Sequence, residues 1–167
     1  MDIRFGDHAS FHRAAAGMVG GSLLAGIALH FVTRSSATAA PSSTRAGIKE
    51  RLPQMHVHGF TPLEVWQGAH TLGITVREFL VRLRDAGLGT LPGTAAEILD
   101  DRVRTHLCPD KVRTAEWAEV MITAHELGLR STTTMMMGHI DGPRSWANHL
   151  EVLRQIQCRT GGFTEFV

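Results

Sequence analysis

The chain has 167 residues, of which 43% are hydrophobic and 20% charged, and its formal net charge is +1. A chain of this length can bury a hydrophobic core as one domain, but it is too short for a complete eight-stranded α/β barrel, which typically needs about 250 residues. The nearly balanced charge and the lack of basic runs argue against nucleic acid as a partner. Ten histidines and no tyrosine are the unusual feature of the composition.

The N-terminal part differs in composition from the rest of the chain. Residues 14–32 are uncharged and mostly apolar, Arg13 precedes them, and residues 37–39 resemble a signal-peptidase site. The stretch has three interpretations: a signal peptide, a membrane anchor, or a segment foreign to the domain. Its four glycines and one histidine make it a poor membrane-spanning helix. A linker rich in Ser, Thr, Ala and Pro follows, so we assign residues 1–47 to this hydrophobic segment and residues 48–167 to the folded domain.

The first elements of the folded domain have clear start and stop signals. Residues 55–60 predict a short strand, and Thr61-Pro62-Leu63-Glu64 predicts a helix start, because it combines an N-cap threonine, a first-turn proline and a glutamate three residues after the cap. Residues 75–78 form a second capping box. The helix that follows is predicted to end at Gly87-Leu88, which is typical of a Schellman stop.

The later elements continue the same alternation of strand and helix. This alternation is typical of βαβ units and predicts a parallel sheet with right-handed crossovers. The predicted fold class is therefore α/β, as a partial (βα) TIM-type barrel of about four units. The later elements are a strand at 88–91 that ends at Pro92-Gly93, a helix that Thr114 caps, a strand at 131–137, a helix that Pro143 begins and a strand at 163–167.

Histidines and one glutamate follow the predicted strands. His56 and His58 lie two apart on a strand, so their side chains are expected on the same face. His139 follows another strand and Glu97 follows a turn, and the C-terminal strand ends of an α/β barrel hold its active site, so the four are expected to converge. Two chemistries fit: a hydrogen-bonding pocket for a polar substrate, or a His/His/carboxylate metal site of hydrolase type. The structural alternative is that the histidines only satisfy backbone carbonyls.

Two strand segments carry residues whose orientation is informative. Met135, Met136 and Met137 are expected to lie mostly in the core, with Met136 pointing away from its neighbours and lining a pocket. Glu165 has the same strand parity as Phe163. That parity indicates either an inward-facing functional carboxylate or an irregular strand.

The aromatic and cysteine residues are expected to be structural. Trp66, Trp117 and Trp146 occupy the apolar stripes of predicted helices and are assigned to packing. Cys108 and Cys158 are the only cysteines and are expected to be buried or half-buried. Because they are fifty positions apart, they form no C-x-x-x-C-x-x-C motif for an iron–sulfur cluster.

Four of these segments resemble FO synthase, and more narrowly its second subunit or C-terminal half, the 5-amino-6-(D-ribitylamino)uracil–L-tyrosine 4-hydroxyphenyl transferase. The resemblance covers about 120 residues, from Ile48 to the end of the chain. The related menaquinone-pathway enzymes read PGGGAE where residues 92–97 read PGTAAE, which favours FO synthase. The matching segments are MHVHGF at 55–60 with TPLEV after it, LPGTAAEIL at 91–99 with DD after it, TMMMGH at 134–139 and TGGFTEFV at 160–167.

The resemblance implies a radical S-adenosylmethionine barrel in the cytoplasm. In this family a [4Fe–4S] cluster cleaves S-adenosyl-L-methionine, and the resulting radical acts on L-tyrosine. The hydroxybenzyl fragment is then joined to 5-amino-6-(D-ribitylamino)uracil in deazaflavin coenzyme biosynthesis. His56, His58, Glu97, Met136 and His139 lie inside the matching segments and are the implied pocket residues for substrate or cofactor, but their individual roles do not follow from the resemblance.

The chain also departs from the family pattern. The cluster-binding cysteine loop has no counterpart, Met137 stands where the family has tyrosine, and the chain ends where the family continues. We therefore expect a fragment, the C-terminal half of the barrel, which binds no cluster and is inactive alone, with a separate polypeptide as a candidate for the missing half. The alternatives are a menaquinone-pathway enzyme similar to aminofutalosine synthase, a metal-dependent hydrolase built on His56 and His58, and a non-catalytic, membrane-anchored remnant.

Overall fold

The computed structural model describes Lys49 and residues 51–167. Three parallel strands form one sheet in the order β1–β2–β3, and helices connect them. This architecture confirms the predicted α/β class as a mixture of helices with a small parallel sheet. The elements are α1 (Pro62–Leu72), α2 (Val76–Asp85), β1 (Thr90–Leu91), α3 (Asp101–Leu107), α4 (Thr114–Glu126), β2 (Arg130–Thr133), α5 (Pro143–Thr160) and β3 (Phe163–Phe166).

The predicted starts of the first two helices and the predicted end of the second are confirmed. The Glu64 carboxylate accepts the Thr61 N–H at 2.8 Å while the Thr61 hydroxyl accepts the Glu64 N–H. The same pair of bonds begins α2. After α2 the backbone of Gly87 has a φ of 94°, and the Leu88 N–H donates to the carbonyl of Leu83 at 3.0 Å, which is the Schellman bond.

The predicted cap of α4 is wrong by one residue. Arg113 occupies the N-cap position, and its N–H donates to the carboxylate of Glu116 at 2.6 Å. Thr114 is the first residue of the helix instead, because its N–H and hydroxyl both donate to Asp101, at 3.0 and 2.8 Å. Asp101 begins α3, a seven-residue helix that the apolar periodicity does not reveal.

The strands are shorter than predicted. Of residues 55–60, only His58 pairs with the sheet, through a single parallel bridge to Thr90. β2 ends at Thr133 and does not extend to residue 137. Beyond β1 a side chain takes the place of a backbone acceptor: the Gly93 N–H donates to the Thr132 hydroxyl at 2.9 Å.

The helices cover one face of the sheet. Leu91 and Ser131 are partners in the register, and both are fully buried. Their neighbours Thr90 and Arg130, also partners, are only half-buried and exposed, as expected when successive side chains of a strand alternate. We call the side of the sheet that carries Leu91 and Ser131 the covered face, and the side that carries Thr90 and Arg130 the open face. The main core cluster on the helix side consists of Ala96, Leu99, Val112, Trp117, Met121, Leu153 and Ile156.

A bulge changes the side-chain parity of β3. Ser131 pairs with Phe163, but the next residue, Thr132, pairs with Glu165, so β3 carries one extra residue at this point. The ring of Phe163 packs at 6.2 Å from that of Trp117 and therefore lies on the covered face. Glu165 pairs with Thr132 on the open face. The bulge is the irregular strand that the sequence left open as one of two alternatives, and it places Phe163 and Glu165 on opposite faces.

Two of the packing predictions are also wrong. The three methionines do not lie mostly in the core, because β2 ends before them: Met135 is half-buried and Met137 is 63% exposed. Met136, which was expected to line a pocket, is 42% exposed. Cys158 is exposed on α5, whereas Cys108 is buried as expected. Trp117 is fully buried, and Trp66 and Trp146 are half-buried.

No helix among the described residues is long and apolar enough to cross a membrane. The hydrophobic segment at 14–32 and the predicted boundary at 47–48 lie outside the described residues.

Candidate functional site

The two histidines of the H-x-H pair meet at one hydroxyl group. His56 Nε2 and His58 Nδ1 each lie 2.7 Å from Thr90 Oγ1. Because a hydroxyl carries one proton, it donates to one ring and accepts an N–H from the other. The ring of His56 also lies against Gly89, where a Cβ atom would collide with it. The pair therefore lies on the same side of its segment, as predicted, and Thr90 is a partner that the sequence pattern did not identify.

Glu97 and Met136 are brought together through the main chain. The Glu97 carbonyl accepts the Met136 N–H at 3.0 Å, which joins the loop after β1 to the loop after β2. The Glu97 carboxylate is largely buried and forms an ion pair with the ammonium group of Lys111. Lys111 was also missed, although it is one of only two lysines in the chain.

Backbone strain concentrates beside these residues. Phe60, Ala95 and Glu97, with φ of 63°, 68° and 41°, are the only non-glycine residues of the described part with left-handed backbone. All three follow a strand segment of the sheet. Such conformations cost roughly 1–3 kcal/mol each and cluster at ligand sites. The loops after the strands are therefore the best candidate for a binding site.

A buried arginine organises the loop after β1. Arg104 is 1% exposed, and no carboxylate of the described residues lies within ion-pair distance of it. Its guanidinium group donates instead to backbone carbonyl groups, which gives this loop an internal scaffold. The accepting carbonyls are those of Ala95 at 3.3 Å, Ala96, Ile98 at 3.3 Å and Val112 at 3.1 Å.

The loop that carries His139 is held by one aspartate. The Asp141 carboxylate accepts the N–H groups of Gly138 and His139, at 3.0 and 2.8 Å, and the indole N–H of Trp146. The Trp146 bond, followed by the backbone donors, holds the pKa of Asp141 well below its usual range. His139 itself is exposed. Trp146, which was assigned to packing, therefore also orders this loop.

The predicted convergence of the four polar residues stays a prediction. Thr90 pairs with Arg130, three residues before β2 ends at Thr133, which is about 10 Å along the strand. The histidine pair therefore lies on the open face, below the edge where Glu97 and His139 are found. Within the described part of the chain, no hydrogen bond or ion pair links the histidine pair to either residue.

The described residues contain no group of three His, Cys, Asp or Glu side chains arranged to hold a metal ion. The third partner of the H-x-H pair is a threonine hydroxyl, which is a poor replacement for the carboxylate or imidazole that a hydrolytic zinc site uses.

Two further histidines support the sheet from the covered face. His125 Nδ1 lies 2.7 Å from the Thr160 hydroxyl and its Nε2 lies 2.8 Å from the Ser131 hydroxyl. Because the Thr160 hydroxyl donates to the Ile156 carbonyl, it accepts from His125, so Nδ1 carries the proton. Burial, assisted by the charge of Arg130, lowers the pKa of His125 to about 4.

His149 anchors the far end of the loop after β1. It is fully buried, and its Nδ1 accepts the Leu99 N–H at 2.9 Å, so the proton of the neutral ring is on Nε2. Burial lowers the pKa of His149 to about 4, and the nearby Arg104 charge adds to this effect. Neither His125 nor His149 stood out in the sequence, since each occupies a helix position with no motif around it.

The chain is similar to part of several longer proteins. FO synthase from Mycobacterium leprae (strain TN) is 60% identical to it over 120 residues, and FO synthase from Streptomyces coelicolor is 58% identical over 120 residues. The 5-amino-6-(D-ribitylamino)uracil–L-tyrosine 4-hydroxyphenyl transferase from Methanothermobacter thermautotrophicus is 56% identical over 120 residues. No family model matches the chain.

These matches cover 72% of this chain but only 14% of each FO synthase and 33% of the transferase. The chain therefore spans a small part of the length of its relatives. The resemblance noted in the sequence is confirmed, because the relatives carry both expected names and match over the expected length. Over these 120 residues the chain is a homologue of FO synthase and of the hydroxyphenyl transferase.

Proposed function

We propose that residues 48–167 are the substrate-enclosing part of a transferase that joins the hydroxybenzyl group of L-tyrosine to 5-amino-6-(D-ribitylamino)uracil. The observation that carries this proposal is the 56–60% identity with FO synthases and the hydroxyphenyl transferase over 120 residues. The His56–Thr90–His58 cluster is suited to binding, because hydroxyl and imidazole groups can donate to or accept from the polar edges of a uracil or a ribityl chain.

The sheet is, in this proposal, one part of a radical S-adenosylmethionine barrel. Its strands are parallel and follow one another in chain order, with helices in the connections. Helices bury one face and leave Thr90 half-buried and Arg130 exposed on the other. The open face is then the wall of the barrel interior. The proposed pathway implies a cytoplasmic location.

The cysteines of this chain do not fit a [4Fe–4S] cluster. Such clusters are held by several cysteine thiolates, and this chain has two cysteines, one buried and one exposed on α5. Burial also raises the pKa of the Cys108 thiol, which disfavours the thiolate. We therefore derive no step through the cluster. The role proposed for this chain is to bind and orient the small-molecule substrates.

A second polypeptide is the proposed source of the cluster-bearing part. Among the described strands, β3 is paired on one side only. Phe166 and Val167 of this edge, and Leu150 on α5 beside it, are 55%, 74% and 48% exposed. An unpaired strand next to exposed apolar side chains is suited to receive a further βα unit.

An exchange of segments tests the proposed function. The matched 120 residues of the Mycobacterium leprae FO synthase would be replaced by residues 48–167 of this chain, and the anaerobically purified chimera would be assayed for FO by chromatography. We expect FO to form. A folded chimera that still cleaves S-adenosyl-L-methionine but forms no FO would contradict the proposal.

The isolated chain provides the matching negative test. After anaerobic reconstitution with iron and sulfide, we expect the 167-residue chain to bind no stoichiometric cluster and to release no 5′-deoxyadenosine. Either product would show that the chain does not depend on a second polypeptide for radical chemistry. The parent synthase, treated identically, is the positive control.

A further inference from the structure

The loop between β1 and α3 is tied at both ends and leaves its middle amides without partners. The Gly93 N–H donates to Thr132, and the Leu99 N–H donates to His149. Between these two anchors, the N–H groups of Thr94, Ala95 and Glu97 have no acceptor in the described part of the chain, and these residues are exposed or half-buried. The N–H of Ile98 also has no acceptor there, but Ile98 is fully buried.

The carbonyl groups of the same loop are turned inward. The guanidinium group of Arg104 gathers the carbonyls of Ala95, Ala96 and Ile98. Ala95 and Glu97 both have left-handed backbone, with a residue between them that does not. Such alternation directs neighbouring N–H groups toward one point and makes a concave anion-binding site in many proteins. With the carbonyls occupied below, the amides are the groups left to meet a ligand.

The local charge also favours an anion. Lys111 neutralises Glu97, and Arg102 neutralises Asp100 in a pair at 2.6 Å. The Arg104 charge beneath the loop has no carboxylate partner among the described residues. A buried cation that is solvated only by carbonyls keeps its full charge, and in a medium of low dielectric it attracts an anion more strongly than it would in water.

We propose that this loop, residues 94–98 folded around Arg104, is a binding site for a carboxylate group. The choice of natural ligand rests on the proposed function, in which two molecules, L-tyrosine and S-adenosyl-L-methionine, carry an α-amino-acid carboxylate. The ligand carboxylate would accept hydrogen bonds from the free backbone amides, and the positive charge of the buried Arg104 would stabilise it. Thr94 is exposed and Ala95 and Glu97 are half-buried, so the amides of these three residues are the ones that solvent and a ligand can reach.

Acetate is the probe that does not depend on the proposed function. It would be titrated into the ¹⁵N-labelled 167-residue chain at constant ionic strength, with chloride as the reference salt, while amide chemical shifts are recorded. We expect saturable shifts at residues 94–98 and none of that size on α2. Shifts that are linear in acetate, or that are spread evenly over exposed amides, would overturn the proposal.

A matched pair of variants tests the same amides. Thr94→Asp places a carboxylate beside the loop, and we expect it to weaken acetate binding at least about fivefold. Thr94→Asn has a side chain of the same shape without the charge and should bind acetate like the wild type. Both changes are at an exposed position, so folding is expected to be retained. Equal acetate affinity in the two variants would contradict a site at this loop.

The natural source is distinguished with two pairs of ligands. L-Tyrosine is compared with tyramine, and S-adenosyl-L-methionine with decarboxylated S-adenosylmethionine, so that the two ligands of each pair differ only in the presence of the carboxylate. Shifts at residues 94–98 from one carboxylate ligand but not from its partner identify that source. If acetate binds but the two ligands of each pair give the same shifts, the carboxylate site is supported and the assumed substrates are contradicted. If acetate does not bind while the chimera makes FO, the loop proposal alone fails.

Discussion

The two faces of the sheet use histidine in opposite ways. On the covered face, His125 and His149 are neutral and each holds a neighbouring element through bonds to Ser131 and Leu99. On the open face, His56 and His58 are exposed and share only the hydroxyl of Thr90. The same side chain is thus a structural bridge where water is excluded and an accessible polar group where it is not.

This contrast explains part of the high histidine content. A motif such as H-x-H marks the accessible pair, because both residues lie on one strand segment. The buried pair is defined only in three dimensions, since its partners are 6 to 50 positions away in the sequence. We therefore expect changes on the covered face to alter stability and changes on the open face to alter binding.

The largest effect is expected for Trp117→Ala on the covered face. Trp117 is fully buried in the main core cluster and packs on Phe163, so its truncation leaves a cavity and should lower the free energy of unfolding by about 3–5 kcal/mol. His56→Ala on the open face is the control and should cost less than about 1 kcal/mol. Urea unfolding of both variants measures the difference. Similar losses for the two would remove the distinction between the faces.

The sequence predicted the helix starts better than it predicted where the strands end. Capping boxes and Gly-Leu stops are local, so the starts of α1 and α2 and the end of α2 could be predicted from a few adjacent residues. Strand ends depend on partners. β2 ends at Thr133, and beyond it Met135 bonds to Val167 while Met136 bonds to the loop after β1. The bulge beside Ser131 places Glu165 on the face opposite to Phe163. No local pattern encodes either contact.

The sequence named candidate site residues but not the side chains that hydrogen-bond or ion-pair with them. His56, His58, Glu97 and His139 were recognised by their positions after predicted strands. The side chains that hold them, Thr90, Lys111 and Asp141, are ordinary polar residues whose importance depends on long-range contacts. Arg104 is the clearest example, because an arginine on a short polar helix is normally exposed.

The protonation of each buried histidine should destabilise the covered face, with an effect per histidine that is next in order of size. The pKa values of His125 and His149 in the folded chain are about 4, below the ordinary value of 6.5, so the unfolded chain takes up protons first. The free energy of unfolding should therefore be fully retained above pH 6.5 and fall as the pH drops toward 4. The loss is about 3 kcal/mol at most for each histidine, since one pKa unit corresponds to 1.36 kcal/mol.

His149→Asn provides the test of this assignment. The asparagine side-chain carbonyl occupies the position of Nδ1 and can accept the Leu99 N–H, but it does not titrate. The variant should therefore be less stable at pH 8, and its stability should decrease less steeply than that of the wild type between pH 6.5 and 4.5. Thermal unfolding at several pH values measures the slope. A variant with an unchanged slope would show that His149 is not the group that takes up the proton.

The smallest effect on stability, and the sharpest test of the open face, is expected for Thr90→Val. The change removes the hydroxyl that both histidines share while keeping the side chain's shape, and Thr90 is only half-buried, so stability should change by less than about 0.5 kcal/mol. The two rings would then lose their common partner, and displaced binding groups commonly cost tenfold or more in rate. In the FO synthase chimera we expect FO formation to fall about tenfold.

Thr90→Ser keeps the hydroxyl and should keep the rate. If the valine variant were as active as the serine variant, the His56–Thr90–His58 cluster would be a surface feature without a role in binding, and the open face would no longer differ in function from the covered one.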